Sequence, residues 1–281
     1  SVAYFPLQCA RNSIPVMNAV LDYFQSSGIQ VQENSMDSDA AVIWSVLWNG
    51  RMADNQQVYE HYHSTGRPVI VIDVGALYRG TTWKIAVNNI NAEGYYGHTE
   101  NLDMDRPYKL RISLAQPVFN RPEIIIAAQH RKSLQVAHLP SVESWITEQI
   151  QHIRQWSDRP IVIRPHPRDR FQLHSFGLNV SIEQPNPVAN TYDSFDMHFD
   201  CHAVVNYNSG PGIQAAISGV RPVVSVSSLA HSVGVAVTNI EQAYTVDREQ
   251  WLVEVCHTEY TLDEIERGQW VERLMLKSNC V

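Results

Sequence analysis

Residues 203–225, AVVNYNSGPGIQAAISGVRPVVS, constrain the fold of this chain more than any other stretch. The apolar run Ala203, Val204, Val205 stops at a polar segment over 206–212. A helical segment follows to Ile217, Ser218 and Gly219 end it, and 222–226 is a second apolar run. The order is strand, polar glycine loop, short helix, strand. A proline just inside a helix start, with Ser209 and Gly210 before it, leaves the first backbone N–H groups pointing outward. With the positive end of the helix dipole they form an anion site. Glycines serve equally well in a βαβ turn that needs only tightness, so a second feature is required. It lies upstream: Arg164-Pro165-His166-Pro167-Arg168 also closes an apolar run, Ile161 to Ile163. Two such loops at successive strand ends suit one diphosphate.

A chain of 281 residues with 44% hydrophobic residues can bury two cores of ordinary size. No window reaches the roughly 18 consecutive apolar residues of a membrane span, and no charged-then-apolar leader opens the sequence. A soluble, cytoplasmic protein without a membrane span is the expectation. The four cysteines, Cys9, Cys201, Cys256 and Cys280, are scattered with no zinc or disulfide spacing. A net charge of −8 argues against coating nucleic acid by charge alone and permits a local basic groove.

The first half alternates as an α/β domain does. Strands are expected at 2–5, 29–32, 39–47 and 68–74. Helices are expected at 14–26, stopped by Gly28, and at 54–64, closed by Gly66. Residues 83–88 and 109–114 read as further strands, with a long loop over 88–105 between them. Such units build a doubly wound parallel sheet whose ligands sit at the C-terminal strand ends. Asp73 stands near the end of an apolar strand, where a charge needs a partner or a task. It is either a structural acid or a general base, and Gly75 follows it. Between residues 79 and 132, eight Lys/Arg face five acids, which suits an anionic acceptor or a solvated face.

The pattern resets at QPVFNRP, 116–122, giving domains 1–118 and 119–281. In the second, EIIIAA (123–128) is a strand, with Gln129, His130 and Arg131 in the loop that follows. An amphipathic helix is expected over 142–156, capped by Ser141 with Glu143 in its first turn. A strand at 161–164, one near 179–183 and a short helix around 194–199 complete the reading. The strand-end loops would line one cleft.

The loop after the first strand, R-P-H-P, and S-G-x-G-x-x-A-x-x-x-G-x-x-P-V-V together resemble the GT-B glycosyltransferases, over roughly 124–274. The nearest likeness there is to capsular-polysaccharide transferases, as is that of the helix start YTLDEI at 260–265. The first half, with AVIWSVLWNGRM and PVIVIDVGALYRGTTWK, is similar to phage transferases that put arabinose or glucose on 5-hydroxymethylcytosine in DNA. The resemblance implies an α/β GT-B fold of two Rossmann-like domains, parallel sheets facing a central cleft, and metal-independent transfer without a cofactor. The first domain would hold the acceptor and the second a nucleotide-diphosphate sugar, of the UDP type. It implies that Arg164 and His166 contact donor phosphates, joined by Gln129 and Arg131. Ser209, Gly210 and Gly212 would offer hydroxyl and N–H donors to the leaving group. Gln214 stands where many GT-B enzymes carry a ribose-binding Glu. Asp73 would be the base or orient the acceptor.

With double-stranded DNA as acceptor, Arg51, Arg79, Lys84, Lys109 and Arg111 are the phosphate-contacting candidates, in host cytoplasm if phage-encoded. A surface-polysaccharide acceptor and a nucleotide-sugar-binding module without transfer are the alternatives.

Overall fold

The computed structural model describes residues 1–169, 177, 179–192 and 194–275, which divide into two compact units. Unit 1 holds residues 1–103 and the chain's end from 257; unit 2 holds 104–256.

Unit 1 opens with strand β1 (Val2–Tyr4), helix α1 (Ile14–Ser26), β2 (Val31–Glu33), β3 (Ala40–Trp44), α2 (Asn55–Ser64), β4 (Val69–Val74) and β5 (Thr82–Val87). Helix α1 ends at Gly28, whose φ of 72° is the left-handed turn a C-terminal glycine supplies, and Gly66 does the same for α2 at 71°. Four strands run parallel in the order β2-β1-β3-β4. The expected all-parallel sheet breaks down at β5, which pairs antiparallel with β4. The connection over 75–81 contains no crossover helix, and a parallel neighbour would need one.

Unit 2 begins with the single-turn helix α3 (Arg106–Lys109). Residues 109–114 are therefore not the expected strand. Pro107 at the helix start and a left-handed Arg111, φ 57°, set a turn instead. Then follow β6 (Ile124–Ala127), α4 (Val142–Arg154), β7 (Ile161–Arg164), β8 (Val180–Ile182), β9 (Ala203–Asn206), α5 (Gly210–Ile217), β10 (Arg221–Val224) and α6 (Glu249–Cys256). The five strands are all parallel, in the order β10-β9-β6-β7-β8.

The core of unit 2 follows the period-two alternation of its strands. Ile124, Ile126, Ile161, Ile163 and Val205 pack under Trp145, Ile146, Ile150 and Ile153 of α4. Ile125, Val162 and Val204 turn the other way, toward Ala215 of α5. Each such large side chain contributes about 1.5–3 kcal/mol by leaving water. Ser141 caps α4 as expected, its Oγ accepting the Ser144 N–H at 2.9 Å. Among the described residues of 194–199 there is no helix. Phe195 instead bridges to Pro187, and Asp196 accepts hydrogen bonds from Asn186.

The chain then returns to unit 1 with β11 (Glu259–Thr261), α7 (Leu262–Glu266) and α8 (Gln269–Met275). β11 pairs antiparallel with β5, α7 packs on α1, and Trp270 meets Phe24 edge-on. The division expected at 118/119, with everything after it in one domain, thus differs from the contacts observed. The helix start expected at 260 is a strand for its first two residues, and Thr261 begins α7 with a capping box to Glu264. Among the described residues no helix is long and apolar enough to cross a membrane.

Candidate functional site

The site is built on one rung of the unit 2 sheet. Ala127 of β6 pairs with Arg164 of β7 on one side and Asn206 of β9 on the other, and Asn206 pairs with Val224 of β10. Because all these strands are parallel, the loops 128–133, 165–169 and 207–209 leave from one edge side by side. The chain runs from β6 outward through β7 to β8, then crosses back to β9. The boundary between β6 and β9 is therefore the topological switch point, where open α/β sheets leave a crevice for ligands.

Amides bridge that switch point. Gln129 Nε2 donates to Asn208 Oδ1 at 3.0 Å, and the Asn208 N–H donates back to Gln129 Oε1 at 2.9 Å. Asn208 Nδ2 also donates to Gln135 Oε1 and Ser227 Oγ. Beside this pair, Asn206 Oδ1 accepts the Ser209 N–H at 2.8 Å and its Nδ2 donates to Ser209 Oγ at 2.9 Å. That fixes Ser209 in extended backbone as the residue before α5. Its hydroxyl makes no cap bond to the helix.

The two neighbouring loops share one construction. In each, a histidine Nδ1 accepts the backbone N–H of the residue two positions on: Lys132 to His130 at 3.1 Å, and Arg168 to His166 at 3.2 Å. A neutral imidazole accepting at Nδ1 carries its proton on Nε2, so both rings are Nε2–H donors. The rings lie edge to face, 5.2 Å between centroids. His130 is buried and its pKa is pushed down, chiefly by loss of water and against the pull of Asp169, and its ring is hydrogen-bonded to the Arg168 backbone. Asp169 ties the loops together by accepting from the Arg131 N–H at 2.7 Å and Nε at 2.9 Å.

A separate polar cluster forms in unit 1, at the C-terminal end of β4. Asp73 Oδ2 accepts from Ser45 Oγ at 3.0 Å, and Oδ1 from the Val74 N–H at 2.7 Å. Ser45 takes a left-handed φ of 63° directly after β3, a conformation that costs energy and collects at functional sites. Desolvation raises the Asp73 pKa, while the two hydrogen bonds, Lys84 and Arg79 pull it down.

No family model matches the chain, and no curated protein does. Two solved structures are similar over its whole length. One is Thermosulfurimonas dismutans KpsC, beta Kdo 2,7 transferase, with a TM-score of 0.52, 11% identity, and coverage of 99% of this chain and 100% of that one. The other is the beta Kdo 2,4 transferase of the same KpsC, with TM-score 0.51, 11% identity, and coverage of 96% and 97%. The fold is GT-B.

Within this GT-B fold, residues expected to act together separate into groups. Ser209 and Gly210 stand at the start of α5, with Gln214 half-buried one turn on, and His166 and Arg131 sit on the adjacent loops. Arg164 is different. It is 2% exposed, donates to Asp196 Oδ1 at 2.6 Å, and has Glu183 at 3.1 Å. Two acids share its charge, while its Nε and Nη1 are buried without a hydrogen-bond partner among the described residues. Gln129 is likewise spent on Asn208. Gly212 is needed for packing, since a Cβ there would lie 2.8 Å from Val224 Cγ1.

The DNA-contacting candidates are divided between the two units. Lys84 is 6% exposed on a central strand, so it has no surface to offer a phosphate. Arg51 and Arg79 are exposed on unit 1, whereas Lys109 and Arg111 are exposed on unit 2. Asn206, Asn208, Asp169 and Ser45 escaped sequence reasoning. The Asn-x-Asn-Ser run before Gly210 was the available signal for two of them, because Asn side chains bond nearby backbone in turns. Nothing local marks Ser45.

Proposed function

We propose that this chain is a glycosyltransferase that moves a sugar from a nucleotide-activated donor to a saccharide hydroxyl. Unit 2 binds the donor. What supports this is the single rung from which three loops emerge, one carrying His166 and another Ser209 at the start of α5, in a chain similar along its length to two transferases. In the reaction the bond from the anomeric carbon to the phosphate oxygen breaks and one from that carbon to the acceptor oxygen forms. Negative charge grows on the departing phosphate, where His166, Ser209 Oγ and the Gly210 N–H donate. These donors take the place of a divalent cation. The acceptor proton passes to a carboxylate, and Asp73 is our assignment. Gln214 is assigned to the ribose, its amide oxygen accepting a hydroxyl hydrogen bond.

Both similar structures bear the name of Kdo transferases, and the lysine meant for DNA phosphate lies in the interior. Together these favour a saccharide acceptor over hydroxymethylated DNA. The experiment offers labelled UDP-, GDP- and CMP-sugars with an oligosaccharide panel, hydroxymethylated DNA and unmodified DNA. Label on oligosaccharide is the expected result, undiminished by a chelator and reduced about 100-fold or more in His166→Ala. Label on hydroxymethylated DNA alone would replace the acceptor assignment. Label on nothing, with a nucleotide sugar still bound, would make the chain a binding module.

A further inference from the structure

Three ionisable side chains from three strands share one rung of the unit 1 sheet. Asp73 of β4 pairs with Lys84 of β5, and Lys84 pairs with Glu259 of β11. Directly paired residues on antiparallel strands project to the same face, so the ammonium stands between two carboxylates. The arrangement joins distant parts of the chain, because Glu259 arrives only with the returning C-terminal segment.

Glu259 is fully buried and held in place. It accepts the Ala76 N–H at 2.6 Å, the Leu77 N–H at 3.1 Å and the Thr82 hydroxyl at 2.7 Å. Gly75 has no side chain because the Glu259 carboxylate and the Thr82 carbonyl occupy that space. The same C-terminal segment braces a third neighbour. Arg273 of α8 donates to the carbonyls of Tyr96 and His98 at 3.0 and 2.8 Å. Tyr96 lies close enough to Glu259 and Asp73 for both charges to oppose its ionisation, and its hydroxyl is buried without a hydrogen-bond partner among the described residues.

We propose that Lys84, set between Glu259 and Asp73 on one rung, is a positioning residue that favours the ionised, proton-accepting form of the Asp73 carboxylate. This rests on the reading of Asp73 as the base of a transferase. The causal order follows from burial. An ammonium buried this deeply loses its proton more readily, and Glu259 is the strongest opposing influence on Lys84, ahead of Asp73. Desolvation at Asp73 is countered first by the hydrogen bonds from the Val74 N–H and Ser45 Oγ, then by the charges of Lys84 and Arg79, and Tyr96 lies close by. Arg79 is exposed, so water screens it more than Lys84.

The experiment has two readouts. The first is the titration of the Asp73 side-chain carboxyl carbon by NMR in the full chain, with the signal assigned by its loss in Asp73→Asn. It needs no activity. In Lys84→Met the midpoint is expected to rise by about one pH unit or more, while Lys84→Arg, which keeps the charge, stays near the parent. An unchanged midpoint in folded Lys84→Met, or an equal rise in Lys84→Arg, would overturn the proposal. If Lys84→Met fails to fold, Lys84→Gln carries the same comparison. The second readout is the acidic limb of the pH–rate profile for sugar transfer. A limb that moves up with the carbon midpoint supports both claims. A carbon midpoint that moves while the limb stays put leaves Lys84 as the setter of the Asp73 charge and removes Asp73 as the base.

Discussion

Arg164 shows at the scale of one residue how a motif and its surroundings compete. In sequence, Arg-Pro-His-Pro offers two cationic candidates for a phosphate; in the fold the arginine turns to Asp196 and Glu183 while the histidine stays on the loop. The distinction was illegible because the two acids belong to separate expected elements, a strand near 179–183 and a helix around 194–199, with nothing local to bring either to Arg164. Asp196 is held down to about 2 by its hydrogen bonds from Asn186, with Arg164 adding to them. A carboxylate with a lowered folded pKa stabilises the protein above the ordinary carboxylate range and loses that contribution as pH falls. Melting temperatures of the parent and Asp196→Asn should therefore differ most above about pH 4 and converge toward about pH 2. A gap that stayed constant across that window would contradict the assignment. The loop positions of His166 and Ser209 were legible because each directly follows an apolar strand run.

The βαβ element over 203–224 carries the packing logic of the donor unit. Gly212 lies on the face of α5 that meets β10, with Val224 in the space a Cβ would need. Gly212→Ala should cost about 1–3 kcal/mol by overpacking, read as a fall in the denaturant midpoint. Val224→Ala in the same chain should restore part of that loss, whereas additive destabilisation would mean that the glycine serves something other than this contact. Elements with a strong period were readable throughout. The α1 and α4 apolar faces and the Ser141 cap appear where periodicity and capping chemistry put them. Short elements set by partners were not: β11 is three residues long and is a strand because β5 has an open edge. The expected strand at 109–114 is instead a turn, set by Pro107 and the left-handed Arg111.

For the molecule as a whole, the C-terminal segment ties the end of the chain to its first unit. Ending the chain after Cys256 would remove Glu259, expose the β5 edge and strip Trp270 from Phe24. Amide exchange at 82–87 should then accelerate while 161–164 keeps its protection; equal effects in both strands would contradict the division into units. Two alternating α/β units were legible from the repeated strand–loop–helix pattern, and the return of the last residues was not, because no local signal says which sheet a short strand will join. The central claim is that the donor lies on the loops of one rung in unit 2. Hydrogen exchange of the full chain with and without a nucleotide sugar that binds it tests this most directly. Slowed exchange at 129–133, 165–169 and 207–214, with little change in the strands beneath, is the predicted result. Protection confined to unit 1, or spread evenly over both sheets, would contradict the account.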